Sequence, residues 1–349
     1  MLETASRSLA ALGSSLSRGT KIDQLTTHPT VAASYLEVRA GYMDNSSRPA
    51  STNLQVAGFV NPSAVVGIQL IAHAGSQAKE PVVVPGMPAS PPPPMPPAAH
   101  AIIHGDFLFV TGQVSYDFAD GYPAVAEIDN STWFPSKAIS ETRYIIKKIA
   151  RILEFLGGNL SDCVRLEIYL NDITDVVGLE KLFGEAFGDE MPARTFIPTV
   201  RLAPTLCCVE IAAICRRPGA RKKISRLSCS VPNPDLWLAP TAVEYNGFIF
   251  TSSFCGNLIG NLRTALPLAD QVAIMFEKVA TLEPLRGSGI EKVLFAGLQI
   301  ATDVDLSSLR WHLQQINGQE RIAISPIRIQ PPLLWIKGGV QADFICAAN

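Results

Sequence analysis

The chain has 349 residues, of which 47% are hydrophobic and 17% charged, and its formal net charge at pH 7 is −2. This composition predicts globular domains with sizeable cores and excludes a disordered chain. The near-neutral charge argues against nucleic acid or an anionic membrane as a partner, since both attract basic surfaces. The length suggests about two to three domains.

The cysteines and the apolar runs predict a cytoplasmic protein. The chain has seven cysteines, an odd number, with no CxxC pair, which predicts reduced thiols and neither a disulfide framework nor a zinc site. No apolar run is long enough to span a bilayer, and the first residues lack a signal peptide. The sequence also has no phosphate-binding or dinucleotide-binding glycine motif, so we expect no metal and no cofactor.

The middle of the chain carries the clearest secondary-structure pattern. Residues 107–113 predict a buried strand, and the apolar spacing of residues 136–157 predicts a helix closed by two glycines. Residues 164–170 alternate strictly between apolar and polar side chains, which predicts a half-buried strand. A second helix and two strands that form a hairpin are predicted at residues 175–187, 194–202 and 207–215.

This order of elements recurs along the chain. The C-terminal segment repeats it at residues 248–253, 268–285, 293–300, 306–316 and 321–345. The N-terminal segment begins at the first helix, with no preceding strand. The predicted division is a truncated unit (1–75), a Pro-rich linker (76–97), a complete unit (98–216), a basic linker (217–230) and a degenerate unit (231–349).

Two positions of the repeat carry the residues of greatest chemical interest. In the middle unit they are Arg194 and Glu210, 16 residues apart. The corresponding pairs in the other units are Ser51 with Gly67, 16 residues apart, and Arg321 with Gln341, 20 residues apart. Because only the middle unit keeps both an arginine and a glutamate, we expect the chemistry there.

Taken together, the strand at 107–113, the helix after it, the Pro-Ala-Arg triplet at 192–194 and the Val-Glu-Ile triplet at 209–211 resemble the RidA (YjgF) family. The resemblance implies an α+β, chorismate-mutase-like fold, in which each unit is a mixed sheet with two helices on one face. It further implies trimers with small-molecule clefts between units, and hydrolysis of 2-imino or enamine acids to 2-keto acids and ammonia without metal or organic cofactor. Units on one chain would form an intramolecular pseudo-trimer, although the truncated unit leaves sheet edges that a homodimer would cover.

The resemblance also implies roles for single residues. Arg194 would hold the substrate carboxylate through two charge-assisted bonds, and Glu210 would activate the attacking water. Thr111 and Gly112 would present a hydroxyl and a backbone N–H to the ligand. Candidates of a secondary site in the last unit are Ser252, Arg321 and Gln341, although an amide cannot act as a base.

Three positions depart from the family pattern, and they keep several functions open. Glu180 and Phe196 stand where the family binds ligand through an asparagine and a small residue, and Ala98 replaces a tyrosine. The first hypothesis is a RidA-like deaminase. The second is a specialised tailoring enzyme of secondary metabolism that uses the cleft for a larger substrate. The third is a non-catalytic small-molecule-binding or scaffold protein, which a cleft filled by side chains would favour.

Overall fold

The computed structural model describes residues 1–43, 48–87, 99–117, 121, 123, 136–203, 206–227, 240–256, 266–286, 289–306, 309, 322–331 and 339–348. The helices of this part of the chain are α1 (Leu2–Ala11), α2 (Pro29–Ala40), α3 (Lys137–Phe155), α4 (Val176–Phe187) and α5 (Leu268–Ala280). Ala98, Arg321 and all of the predicted helix at 306–316 except residues 306 and 309 lie outside the described residues.

The strands come in three groups along the chain. The first group is β1 (Gly19–Thr26), β2 (Ala50–Gln55), β3 (Gly58–Phe59) and β4 (Val66–Ala72). The second is β5 (Glu80–Val82), β6 (Ala101–His104), β7 (Phe107–Val114), β8 (Cys163–Leu170), β9 (Ala193–Pro198), β10 (Arg201–Leu202) and β11 (Val209–Arg216). The third is β12 (Ser225–Leu227), β13 (Ala242–Tyr245), β14 (Phe248–Thr251), β15 (Phe254–Cys255), β16 (Val293–Ala301), β17 (Ala323–Ile329) and β18 (Val340–Ala347).

These strands form three mixed sheets with one shared pattern. The first sheet has the order β10-β2-β1-β4, the second β5-β6-β7-β11-β8-β9, and the third β12-β13-β14-β18-β16-β17-β3, with β15 also paired to β18. In each sheet a central strand (β1, β8 or β16) has a parallel neighbour on one side and an antiparallel neighbour on the other. The short strands β10 and β3 extend the sheet of another group, which ties the sheets together.

Helices α3 and α4 cover one face of the second sheet, and the predicted α+β class is confirmed. The Ser136 side chain caps α3 by accepting the Ile139 N–H at 3.3 Å, as serine often does at helix starts. The apolar stripe of α3 packs with α4 against the apolar residues of β8 and β11 in one core. Members of this core include Ile145, Ile149, Leu179, Phe183, Leu166, Ile168 and Ile211.

The sheet faces away from the helices pack against one another. One core there draws residues from all three sheets, among them Leu25, Leu54, Tyr169, Ile197 and Ile327. The prediction that residues 164–170 form a half-buried strand was wrong, because β8 is buried at all eight positions. Its polar face does not meet water; it meets the other sheets, and the charges on it are paired there.

The predicted hairpin at 194–215 was also wrong. Strand β9 pairs in parallel with β8, whereas β11 pairs with the other edge of β8. Between them in sequence, β10 leaves this sheet and pairs with β2. Arg194 on β9 and Glu210 on β11 are therefore two strands apart.

Both predicted linkers contribute strands in their described parts. β5 lies within the Pro-rich segment and pairs with β6 at the edge of the second sheet. β12 lies within the basic segment and pairs with β13. Arg226 of β12 also donates from Nε to the Met191 carbonyl at 2.9 Å, so this segment is tied to the second sheet.

Candidate active site

Arg194 is held by Glu180 in a two-point ion pair. The Arg194 Nε donates to Glu180 Oε1 at 2.7 Å, and Nη2 donates to Oε2. The Arg194 side chain is fully buried and Glu180 is nearly so. A planar guanidinium and a carboxylate match each other in this geometry. The Nε and Nη2 donors of Arg194 are thereby used within the protein, whereas its buried Nη1 has no partner among the described residues.

The backbone of β9 meets the third sheet at a contact that we call the second junction. The Arg194 N–H donates to Ser252 Oγ at 3.1 Å, and the Ser253 N–H donates to the Arg194 carbonyl at 3.1 Å. The Gln341 side chain donates to the Phe196 carbonyl at 2.6 Å. Ser252 and Gln341 are completely buried, so protein groups fill this junction.

The ring of Phe196 points to the helices. It packs 6.3 Å from the ring of Phe183 on α4, measured between centroids, in the core beneath the helices. Phe196 was expected to touch ligand. It contributes its backbone carbonyl, and not its ring, to the second junction.

Glu210 lies at a different contact between sheets, the first junction, where β2 packs on β7. Its carboxyl group lies against Gly112, where a Cβ would overlap Glu210 Oε1 and lie 2.9 Å from Thr52 Cγ2. Glycine is therefore required here by the close approach of Glu210 and the first sheet. The neighbouring Thr111 hydroxyl donates to the Ala99 carbonyl at 2.6 Å.

The carboxyl group of Glu210 has an unusual proton affinity. Burial is the main reason that its pKa rises to about 8, and the negative charge of Asp23 adds to the effect. Lys21 and Lys148 act in the opposite direction. At neutral pH the group is mostly protonated, so it can donate a proton and then act as a base.

Arg194 and Glu210 do not share a cleft. Val209 and Ile211, which flank Glu210, both pack in the helix-side core, so alternation along β11 places Glu210 on the opposite face. Arg194 reaches α4 and is therefore on the helix face. The backbone of Arg194 belongs to the second junction and its side chain to the helix face, whereas the Glu210 side chain belongs to the first junction.

Strand register identifies the positions equivalent to Arg194 in the other sheets. In each sheet, the residue three positions after Glu210, Gly67 or Gln341 is paired with a residue of the central strand. On its other side, that residue of the central strand is paired with Arg194, Ser51 or Ile324, respectively. The equivalence of Ser51 and Arg194 that the 16-residue spacing predicts agrees with this register. In the third sheet the equivalent position is Ile324, three residues beyond Arg321.

A buried network of charges joins the three sheets around β8. Lys21 of β1 pairs with Asp23 and, at 2.7 Å, with Glu167. Arg165 pairs with Glu167 at 3.1 Å and with Asp343 of β18. Burial alone would lower the pKa of Lys21, but Asp23 and Glu167 outweigh it and raise that pKa. Burial raises the pKa of Asp23 despite Lys21.

Sequence reasoning missed this network and one further residue, Lys148 of α3. The signal for the network was present, because Lys21 with Asp23 and Arg165 with Glu167 occupy alternate positions of predicted or possible strands. Lys148 is nearly buried and donates to the Val114 carbonyl at 2.9 Å. In the described part of the chain, no group of three or more His, Cys, Asp or Glu side chains is placed to hold a metal ion. None of the helices in that part is both long and apolar enough to cross a membrane.

The whole fold and the middle segment have known counterparts. A solved structure of a chorismatase matches 95% of this chain and 93% of its own with a TM-score of 0.54, at 12% identity, so the two share a fold. The model of the Endoribonuclease L-PSP family matches residues 89–216. A RutC family protein of Pyrococcus horikoshii is 32% identical over 123 residues, which are 35% of this chain and 89% of the relative. The chain belongs to this RidA/YjgF family.

Another relative carries an enzyme name. The 3-aminoacrylate deaminase RutC of Acinetobacter baylyi is 27% identical over 128 residues, which are 37% of this chain and 93% of the relative. Both relatives thus correspond to little more than a third of the chain.

Proposed function

We propose that this protein is a cofactor-free hydrolase of imine or enamine-type small molecules, with Glu210 at the first junction as its proton-transfer residue. The observation that carries the proposal is the buried Glu210 carboxyl group, packed over Gly112, with its pKa raised to about 8. General acids work best with a pKa near the operating pH. Family membership supports the reaction class, and the name of the Acinetobacter relative states such a deaminase.

The chemistry follows from a protonated Glu210. Its O–H bond breaks as the proton passes to the carbon of the enamine double bond, which leaves an iminium ion. The Glu210 carboxylate then removes a proton from water as the water oxygen bonds to the iminium carbon. Return of this proton to nitrogen lets the C–N bond break, and ammonia leaves. The hydroxyl O–H bond breaks as the carbonyl forms, and its proton passes to the Glu210 carboxylate, which restores the acid. Thr111 and Gly112 would line the substrate side of this step.

In this proposal Glu210 acts without Arg194, which was expected to hold the substrate carboxylate. Arg194 is bound to Glu180 on the helix face of the second sheet, and Ser51 stands at the equivalent position of the first sheet. The first junction therefore has no guanidinium at the equivalent strand position. A small acid held by an arginine clamp is less favoured there than a substrate with other anchoring groups.

A second candidate function uses the same proton transfer on an enol ether. The whole-chain likeness in fold to a chorismatase favours it, as does the absence of an arginine at position 51. Enamines and enol ethers both hydrolyse by protonation at carbon followed by addition of water. This candidate corresponds to a tailoring enzyme with a larger substrate.

The decisive experiment compares two substrates and two variants. The purified full chain is assayed with 3-aminoacrylate for ammonia release and with chorismate for keto acid release. Glu210→Gln keeps the shape of the side chain and removes the transferable proton, so we expect a loss of about 100-fold or more in rate. Gln341→Met, at the equivalent position of the third sheet, is the control and should retain the rate. A wild-type protein inactive on both substrates, or a fully active Glu210→Gln protein, would refute the proposal and favour a binding or scaffold role.

We also infer that the three sheets of one chain form a pseudo-trimer in the cytoplasm. The buried ion pairs from β8 to β1 and β18 support this assembly. The odd number of cysteines and the lack of a CxxC pair support a reducing compartment. Sedimentation should give one chain per particle; two chains per particle would favour the homodimer.

A further inference from the structure

A buried lysine beside Glu210 is not used by the proposed chemistry. Lys148 lies on α3, is 9% exposed and donates from Nζ to the Val114 carbonyl at 2.9 Å. Val114 on β7 is the residue directly opposite Glu210 in the pairing of β7 with β11. The hydrogen bond therefore fixes a positive charge at the backbone of the residue opposite Glu210. Although α3 and the Glu210 carboxyl group lie on different faces of the sheet, each charge still affects the pKa of the other group.

The third sheet repeats this contact without the acid. Lys278 on α5 is 3% exposed and donates from Nζ to the Cys255 carbonyl at 2.9 Å. Cys255 is directly opposite Gln341 in the pairing of β15 with β18. The same lysine–carbonyl contact thus faces a carboxyl group in one sheet and an amide in the other, so Lys278 is a matched control for Lys148.

We propose that Lys148 is a positioning residue for Glu210. The Lys148 ammonium group stabilises the carboxylate formed when Glu210 gives up its proton. This inference rests on the proposed function, because it assigns Lys148 a part in the same proton transfer. Without a nearby cation, a newly formed carboxylate would be left charged in a buried site, which is strongly unfavourable. Lys148 would thereby set the pH range in which Glu210 exchanges its proton.

The charged and titratable groups around Glu210 come from four parts of the chain. Asp23 and Lys21 approach from β1, Lys148 from α3, Tyr169 from β8 and Cys207 from the segment before β11. Burial and Asp23 raise the pKa of Glu210, and the two lysines limit that rise. Lys21 opposes the rise more strongly than Lys148, but it is engaged by Asp23 and Glu167 in buried ion pairs. Lys148 is therefore the cation that can be neutralised without breaking those pairs.

Lys148 has its own set of neighbours. Asp117, Cys207 and Glu210 face it, and burial lowers its pKa to about 8 against their combined effect. The pKa values of Lys148 and Glu210 therefore lie close together. Each group also affects the pKa of the other, so a proton lost by one changes the affinity of the other for its proton. Such coupled sites titrate as a pair.

The test is a titration of Glu210 that needs no substrate. In the full-length protein with ¹³C-labelled glutamate, the Glu210 carboxyl signal is assigned by its loss in Glu210→Gln, and its midpoint is measured by NMR. Lys148→Gln keeps an N–H donor on its side chain but carries no charge. We expect it to raise the Glu210 midpoint by about one pH unit, as loss of a close opposite charge does. Lys148→Met, a second neutral variant, should give the same shift, Lys148→Arg should restore the wild-type midpoint, and Lys278→Gln should leave it unchanged.

A second readout distinguishes this inference from the proposed function. In the active enzyme, the alkaline fall of the rate should move upward with the Glu210 midpoint in Lys148→Gln and stay in place in Lys278→Gln. An unchanged midpoint in folded Lys148 variants, or an equal shift in Lys278→Gln, overturns the role of Lys148 even if the enzyme is active. A shifted midpoint in a protein inactive on both substrates upholds the coupling and overturns the hydrolase.

Discussion

The Arg194 guanidinium donates two hydrogen bonds to the Glu180 carboxylate. This ion pair joins β9 to α4 on the helix face of the second sheet. A carboxylate of a small substrate would have to displace Glu180 to bind the same nitrogens. Arg194 is the arginine that best matches a substrate clamp by sequence. It is thus bound to Glu180, a residue of the helix layer on the same sheet.

Removing the partner of Arg194 should destabilise the fold. We expect Glu180→Gln to lower the free energy of unfolding by about 3–5 kcal/mol, because it leaves a buried guanidinium without its counter-charge. Urea denaturation measures this. Glu190→Gln, which breaks the exposed pair with Arg226, is the control and should lower it by less than about 1 kcal/mol. Unchanged stability together with tighter binding of small acids would show instead that Arg194 serves as the clamp.

A methyl group at Gly112 should impair the chemistry more than the fold. The new Cβ of Gly112→Ala would overlap Glu210 Oε1 and crowd Thr52, so the carboxyl group must move by about 1 Å or more, a displacement that can lower rates about 100-fold. The steady-state rate and the urea midpoint are measured together. Ser253 occupies the same place in the third sheet, since Ser252 and Thr111 each donate to a carbonyl twelve residues earlier. Ser253→Ala should therefore keep the rate, and a fully active Gly112→Ala would exclude a fixed position for Glu210.

The Glu210 and Lys148 pair should give the protein a stability minimum near pH 8. The folded pKa of Glu210, about 8, is above its unfolded value, so folding takes up a proton and stability falls as pH rises towards 8. The folded pKa of Lys148, also about 8, is below its unfolded value, so stability rises again above pH 8. Unfolding followed from pH 5 to 10 tests this. Glu210→Gln should remove the descending part and move the rise caused by Lys148 to lower pH, because the carboxylate no longer raises the Lys148 pKa. A curve parallel to that of the wild type would contradict the assignment.

Breaking the charge network at the junction of the sheets should weaken their association. Asp343→Asn removes a buried partner of Arg165, whose Nε and Nη1 already lack partners among the described residues. We expect a loss of about 3 kcal/mol or more of unfolding free energy, measured by calorimetry. Glu80→Gln, in a largely exposed pair with Arg217 at 3.7 Å, should change it by less than about 1 kcal/mol. If both variants behave alike, the network does not hold the sheets together.

Local patterns predicted the elements well and their environment poorly. The apolar period of residues 136–157 and the capping serine at 136 are encoded within one stretch of chain, and α3 forms there. The alternation at 164–170 also predicted a strand correctly. It could not reveal that Arg165 and Glu167 face other sheets, because alternation distinguishes two faces without saying what covers each one. Lys148 was overlooked for the same reason, since a lysine on a helix usually reaches solvent.

The amino-acid pattern alone was enough to establish the family, the α+β class and the unequal pairs Ser51 with Gly67 and Arg194 with Glu210. Which junction each residue joins was decided by tertiary structure. The Arg194 N–H meets Ser252, 58 residues away, and the Phe196 carbonyl meets Gln341, 145 residues away. Periodicity and spacing report on neighbours within a few residues, whereas these contacts depend on how whole sheets pack. That packing separates Arg194 from Glu210, places the buried acid against Gly112 and leaves it under the electrostatic influence of Lys148.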